Sequence, residues 1–211
     1  MRSVPIAEEA TPWPPLIRMV DWAHHLLTQV LDPGDLAVDL TAGRGRDTLF
    51  LFRQTGLSGR VLAFDIQEDA LIATTRLLED AGATVRLHRQ PPTDPLPPGV
   101  HLFHASHALL DQYLPASPKA VIANLGYLPG GNPDVATRAD STLAALDQAF
   151  LRLASGGRLA LTAYLGQSGG QEEGEAVSAR FAALSSLDWR ILRLEVPNRP
   201  TSPFLLLAQK R

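Results

Sequence analysis

The chain has 211 residues and a formal net charge of −3, with 45% hydrophobic residues, 19% charged residues and no cysteine. That length and apolar content suit one α/β domain with a sizeable core and exclude global disorder, and the missing cysteines exclude disulfides, thiolate metal sites and cysteine nucleophiles. No apolar run is long enough to span a bilayer, so no membrane partner is expected; the N-terminal stretch Met1 to Glu9 lacks a signal-peptide core, which makes the cytoplasm the expected location.

Residues Met1 to Pro15 carry several prolines and acids and read as a flexible leader ahead of a single domain over 16–211. Apolar residues at helical spacing from Leu16 to Leu31 predict a helix, stopped by Asp32-Pro-Gly-Asp35. Strand and helix patterns then alternate. Strands are expected at Leu36–Thr41, Arg60–Asp65, Thr84–His88, Ala120–Asn124 and Arg158–Tyr164. Helices are expected at Asp47–Gln54, Asp69–Ala81, Ser141–Leu153 and Glu172–Leu184, with a short helical piece at His107–Leu114. The tail, Trp189–Val196 and Phe204–Gln209, reads as a hairpin. This alternation predicts a mainly parallel sheet with helices on both faces, and ligands in such sheets sit beyond the carboxyl ends of the strands.

The candidate site residues fall at those ends. In Leu36-Ala-Val-Asp-Leu-Thr-Ala-Gly-Arg-Gly-Arg-Asp-Thr48 a buried strand ends in an acid and passes through a glycine turn into a helix. Gly43 and Gly45 let backbone approach a ligand, and Asp39 anchors either the loop or a cationic ligand group. Asp65, ending the next strand in Phe64-Asp-Ile-Gln67, is placed to hold ribose hydroxyls, or else to cap the following helix. Together they point to an adenosine-containing cofactor. The Asp39 to Asp65 spacing is also that of a dinucleotide site, but Thr48 stands where its third glycine belongs.

His104-Ala-Ser-His107 follows a short strand; with no third ligand it is a poor metal site, and no metal is expected. Asn124-Leu-Gly-Tyr-Leu-Pro-Gly-Gly131 delivers an amide and an aromatic from a strand end, the arrangement an amino-methyltransferase uses to orient an amine and cradle its base. Tyr127 as a core lid is the plainer alternative. Tyr164-Leu-Gly-Gln-Ser-Gly-Gly170 reads as a substrate loop or a simple helix entry. Arg199, near the hairpin tip, either touches phosphate or is solvated. Nearly all basic residues are arginine, a bias read here as genome composition rather than as a phosphate clamp.

These blocks resemble the rRNA-methylase family of small class I S-adenosylmethionine-dependent methyltransferases, which includes the enzyme of 5-aminomethyl-2-thiouridine at tRNA position 34. The resemblance covers the chain from about Ala23 onward, and Asn124–Gly131 is its most specific block. It implies a Rossmann-like fold with a mainly parallel seven-stranded sheet and an antiparallel C-terminal edge hairpin, S-adenosyl-L-methionine as cofactor, and N-methylation of wobble (thio)uridine in tRNA. The alternatives are rRNA or a small-molecule amine as acceptor, or a non-catalytic or NAD-binding protein. By position, Asp39, Thr41, Ala42, Gly43, Gly45, Asp47 and Thr48 form the methionine-side loop. Asp65, Ile66 and Gln67 face ribose and adenine beside Ser106 and His107. Asn124 touches both cofactor and acceptor, and Tyr127 the acceptor. Arg44 and Arg46 replace the family's Asn and His, Ala105 its Asp, and Gln167 its second-loop His. If the family's second-loop His deprotonates an ammonium acceptor, Gln167, with no titratable group, cannot, and another base, such as water or Asp47, is then needed. The apolar first helix and the lack of an added RNA-binding domain suggest a homodimer.

Overall fold

A computed structural model describes residues 16, 18–126, 136–199 and 201–211; the leader 1–15 and Tyr127 lie outside the described residues. The helices are α1 (Met19–Thr28), α2 (Arg46–Thr55), α3 (Glu68–Asp80), α4 (Ala139–Arg152) and α5 (Gly170–Ala182). The strands are β1 (Leu36–Asp39), β2 (Arg60–Asp65), β3 (Val85–His88), β4 (Gly99–His104), β5 (Ala120–Leu125), β6 (Arg158–Ala163), β7 (Trp189–Leu194) and β8 (Phe204–Lys210). They form one sheet in the order β3-β4-β2-β1-β5-β6-β8-β7. β7 and β8 pair antiparallel, as do β6 and β8; the remaining neighbours are parallel.

Strand alternation sorts the core into two layers. Leu36, Val38, Leu62, Phe64, Val121 and Leu161 pack under α4 and α5, against Leu146, Phe150, Val177 and Phe181. Their neighbours Ala37, Val61, Ala63, Ile122 and Ala160 pack under α1, α2 and α3, against Leu27, Leu51, Leu71 and Leu78. The apolar side of α1 packs against this chain's own sheet through Met19, Ala23 and Leu27. No helix among the described residues is long and apolar enough to cross a membrane.

The sheet has eight strands, not seven. The short strand ahead of His104 is a full member, β4, between β2 and β3. Its run Gly-Val-His-Leu-Phe-His hides this because His101 interrupts the apolar pattern. That ring is fully buried and satisfied, bonded to His88 at 3.0 Å and to the Pro97 carbonyl at 2.8 Å. The piece after His107 is a 3-10 helix, His107–Gln112, capped by Ser106, whose hydroxyl accepts the Ala108 N–H at 3.2 Å.

From β1 the chain crosses to β2 on one side, while β5 adds on the other. The carboxyl ends of β1, β2 and β5 therefore meet at the point where strand order reverses, which brings Asp39, Asp65 and Asn124 to one end of the sheet.

Candidate active site

β1 stops at Asp39 because its carboxylate folds the chain back. Oδ1 accepts the Thr41 N–H at 3.0 Å and Oδ2 accepts the Thr48 hydroxyl at 2.6 Å. The turn then needs left-handed backbone at Gly43 (φ 52°) and Gly45 (φ 78°). A Cβ on Gly45 would also sit 2.8 Å from Thr74. Gly43 ties the turn to β2: its N–H donates to Asp65 Oδ2 at 2.9 Å, while the other oxygen of Asp65 accepts the Gln67 N–H at 2.9 Å. Each carboxylate oxygen keeps a further lone pair.

Burial, with the Asp47 charge adding to it, pushes the Asp39 carboxyl from 3.8 up to about 7. The folded protein holds this proton more tightly than the unfolded chain. The stability it confers is fully present below about pH 4 and is lost as pH rises through about 7. An Asp39→Asn variant copies the protonated shape, so thermal melts should show its stability falling less than wild type between those two pH values. Equal slopes in the two proteins would show Asp39 ionised throughout.

Asn124 reaches the site from the end of β5. Its N–H donates to the Thr41 hydroxyl at 2.8 Å, and its side-chain amide donates to Asp47 Oδ2. Its Oδ1 is buried with no hydrogen-bond partner among the described residues. The other Asp47 oxygen meets His24 Nε2 of α1 at 2.6 Å, and the His24 ring stacks on Phe50 with centroids 3.9 Å apart. Burial, then the Asp47 charge, pushes the Tyr164 phenol up. Beside Asn124, Gly126 N–H donates to Thr137 Oγ1 at 2.9 Å. Buried Glu173 of α5 then accepts from Thr137 and Thr142, both at 2.7 Å. This carboxylate ties Gly126, through Thr137, to α5.

A cavity of about 770 Å³ opens over these groups, within the ~300–1,000 Å³ range of small-molecule sites. Thr41, Ala42, Gly43 and Asp47 line it from the β1 side; Asp65, Ile66 and Gln67 line it from β2. Ser106, His107 and Asn124 complete the predicted set on its wall. Asp39, Gly45 and Thr48 are buried behind that wall, where they shape the turn without facing the cavity. Tyr127 lies outside the described residues. His107 is held as the Nδ1–H tautomer by the Leu40 carbonyl at 3.0 Å. Burial lowers its pKa, and Nε2 has no partner among the described residues.

Sequence reasoning missed His24 and the Glu173 clasp. His24 sits in a helix read only for its apolar spacing, and its link to Asp47 spans 23 residues. The one available signal was a pair of histidines in an otherwise amphipathic helix.

Residues 61–210 match the family described as "Putative rRNA methylase". The chain belongs to this family. A chloroplastic tRNA (mnm(5)s(2)U34)-methyltransferase of Arabidopsis thaliana is 37% identical over 196 residues, covering 90% of this chain and 68% of the relative. Family resemblance extends to solved structures. A "putative rRNA-methylase" from Clostridium thermocellum superposes with a TM-score of 0.82 at 32% identity, covering 92% of this chain and 97% of its own. A "putative methyltransferase" from Streptococcus mutans, in complex with SAH, gives 0.78 at 33% identity, covering 92% and 98%.

Proposed function

We propose that this chain N-methylates the 5-aminomethyl group of wobble (thio)uridine in tRNA. It is an S-adenosylmethionine-dependent methyltransferase by family; the proposal concerns the acceptor and the residues that serve it. The observation that carries the proposal is Asn124 Oδ1, a buried acceptor with no partner among the described residues, on a residue of the cavity wall that Asp65 also lines. A desolvated amide oxygen is costly unless something donates to it. An N–H-bearing acceptor supplies that donor, and the Arabidopsis relative acts on a modified tRNA uridine whose name specifies an aminomethyl substituent.

The residues present fit the cofactor. The free lone pairs of Asp65 suit a ribose diol, and the Gly43 turn brings backbone close to the methionine end. When bound, the cofactor supplies a methyl group on a sulfonium, an already activated leaving group. The chain's own work is positioning. Asp65 and the turn orient the nucleoside, while Asn124 Oδ1 takes one N–H of the amine and leaves its lone pair aimed along the transfer axis. Asp39 and Thr48 hold the turn from behind.

Arg44 and Arg46 are exposed on the rim of the same cavity, and neither makes an ion pair among the described residues. They suit phosphates flanking a flipped nucleotide. The double change Arg44→Ala, Arg46→Ala should raise KM for tRNA about tenfold and reduce the magnitude of the slope of log KM on log salt by about 1–2, with SAH affinity unchanged. An unaltered salt slope would remove them from the RNA surface.

The test of the acceptor is transfer of labelled methyl from S-adenosylmethionine to bulk tRNA from a strain lacking the activity, with digestion to locate the label. Label on the wobble uridine is expected. Absence of label on tRNA, with label on rRNA or on small amines, would move the activity to those acceptors.

A further inference from the structure

An aliphatic amine, with a pKa like that of lysine at about 10.4, is almost fully protonated near neutral pH and has no lone pair to attack with. The amine reading above, on which this inference rests, therefore needs a base. Among the described residues, the titratable groups facing the cavity are Arg18, Asp21, His24, Arg44, Arg46, Asp47, Asp65, His107 and Tyr164. Most are engaged or opposed. Asp21 pairs with Arg18 at 3.0 Å, and Asp65 already holds two backbone amides. Burial disfavours a proton on His107 and keeps the Tyr164 phenol protonated. Asp47 has one oxygen on the Asn124 amide and the other on His24.

His24 is different. Its 2.6 Å contact with Asp47 Oδ1 makes Nε2 the protonated nitrogen, which leaves the lone pair on Nδ1. No hydrogen bond to Nδ1 occurs among the described residues. Phe50 stacks nearly parallel to the ring, at an interplanar angle of 6°, and holds its plane. The side chain is 25% exposed and lines the cavity. A carboxylate behind an imidazole fixes its tautomer and stabilises the imidazolium that forms when it takes a proton. Asp47 also grips the Asn124 amide, so one carboxylate holds both the group that orients the amine and the imidazole.

We propose that His24 is the catalytic base, taking a proton from the acceptor ammonium on Nδ1 while Asp47 holds Nε2–H. The ammonium gives one proton to His24 and becomes the free amine. The amine nitrogen then bonds to the methyl carbon as the carbon–sulfur bond breaks. The bonding pair stays on sulfur, and the positive charge passes to the methylated nitrogen. The product leaves as a secondary ammonium, and His24 returns its proton to water.

The test compares wild type with His24→Gln, whose amide still donates to Asp47 but cannot titrate. The substrate is tRNA bearing the unmethylated aminomethyl group, assayed in single turnover from pH 6 to 9.5, with SAH affinity by calorimetry. The expected result is SAH affinity as in wild type, a rate about 100-fold lower at pH 7, and a gap that narrows toward high pH as the free amine accumulates. A His24→Gln rate and pH profile matching wild type, or a loss of SAH affinity equal to the loss of rate, would overturn the assignment. A readout independent of turnover is the imidazole nitrogen spectrum of the wild-type protein. Nδ1 should appear unprotonated in the neutral imidazole; the opposite tautomer would also overturn it. Wild type inactive on every amine tested would sink the amine reading itself. Active wild type with an unaffected His24→Gln would remove only His24.

Discussion

An Asp65→Ala variant is expected to bind SAH at least about 100-fold more weakly than wild type in calorimetric titration. The two oxygens of this carboxylate already accept from Gly43 and Gln67, both at 2.9 Å, so their direction is fixed before any ligand arrives. Two hydroxyl donors on the remaining lone pairs are each worth about 1.5–3 kcal/mol as hydrogen bonds to a charged group, which spans roughly 10²- to 10⁴-fold in affinity. The same substitution orphans two backbone N–H groups and frees the turn from β2, so affinity and melting temperature should fall together. Asp65→Asn separates the two effects. It keeps the volume and one acceptor oxygen, so it should melt closer to wild type while still losing most of the affinity. Binding by Asp65→Ala within threefold of wild type would mean that the cavity holds its nucleoside by other groups.

Asn124→Ala should act on turnover rather than on binding. Removing a positioned hydrogen-bonding group from a transition state costs about 10²–10³ in rate, and single-turnover methyl transfer should fall by that much while SAH affinity changes only a few-fold. The backbone tie from Asn124 to Thr41 survives, since it uses the N–H and not the side chain. Asn124→Asp is the sharper probe. It sets a second carboxylate against Asp47, in a neighbourhood where burial and the Asp47 charge already push Asp39 up to about 7. That variant should lose stability as well as rate, most visibly above neutral pH. A parallel loss of SAH affinity and rate in Asn124→Ala would move the residue from acceptor to cofactor.

Much of this molecule was legible locally. The alternation of strand and helix patterns, the acid ending β1 and β2, and the glycine turn between β1 and α2 all lie within windows of a few residues, and they appear within one to three residues of their expected ends. β4 read only as a short strand because the buried His101 broke its apolar pattern, and only the contact with His88 shows how that polarity is satisfied. Asp39 read either as an anchor of its loop or as a contact to a cationic ligand group, and its bonds to Thr41 and Thr48 tie it to the loop.

By itself the chain's order of residues determined the layer architecture, the cleft at the strand ends and the kinship with a methylase family, because periodicity and turn chemistry act between neighbours. Tertiary structure alone decided which polar groups share the cleft. His24 meets Asp47 across 23 residues, Asn124 meets the same carboxylate across 77, and Glu173 reaches Thr137 across 36. Such meetings depend on where the sheet lays α1, α2 and α5 relative to one another. No local pattern encodes that placement; it follows from burying the apolar faces of all the helices against the sheet at once.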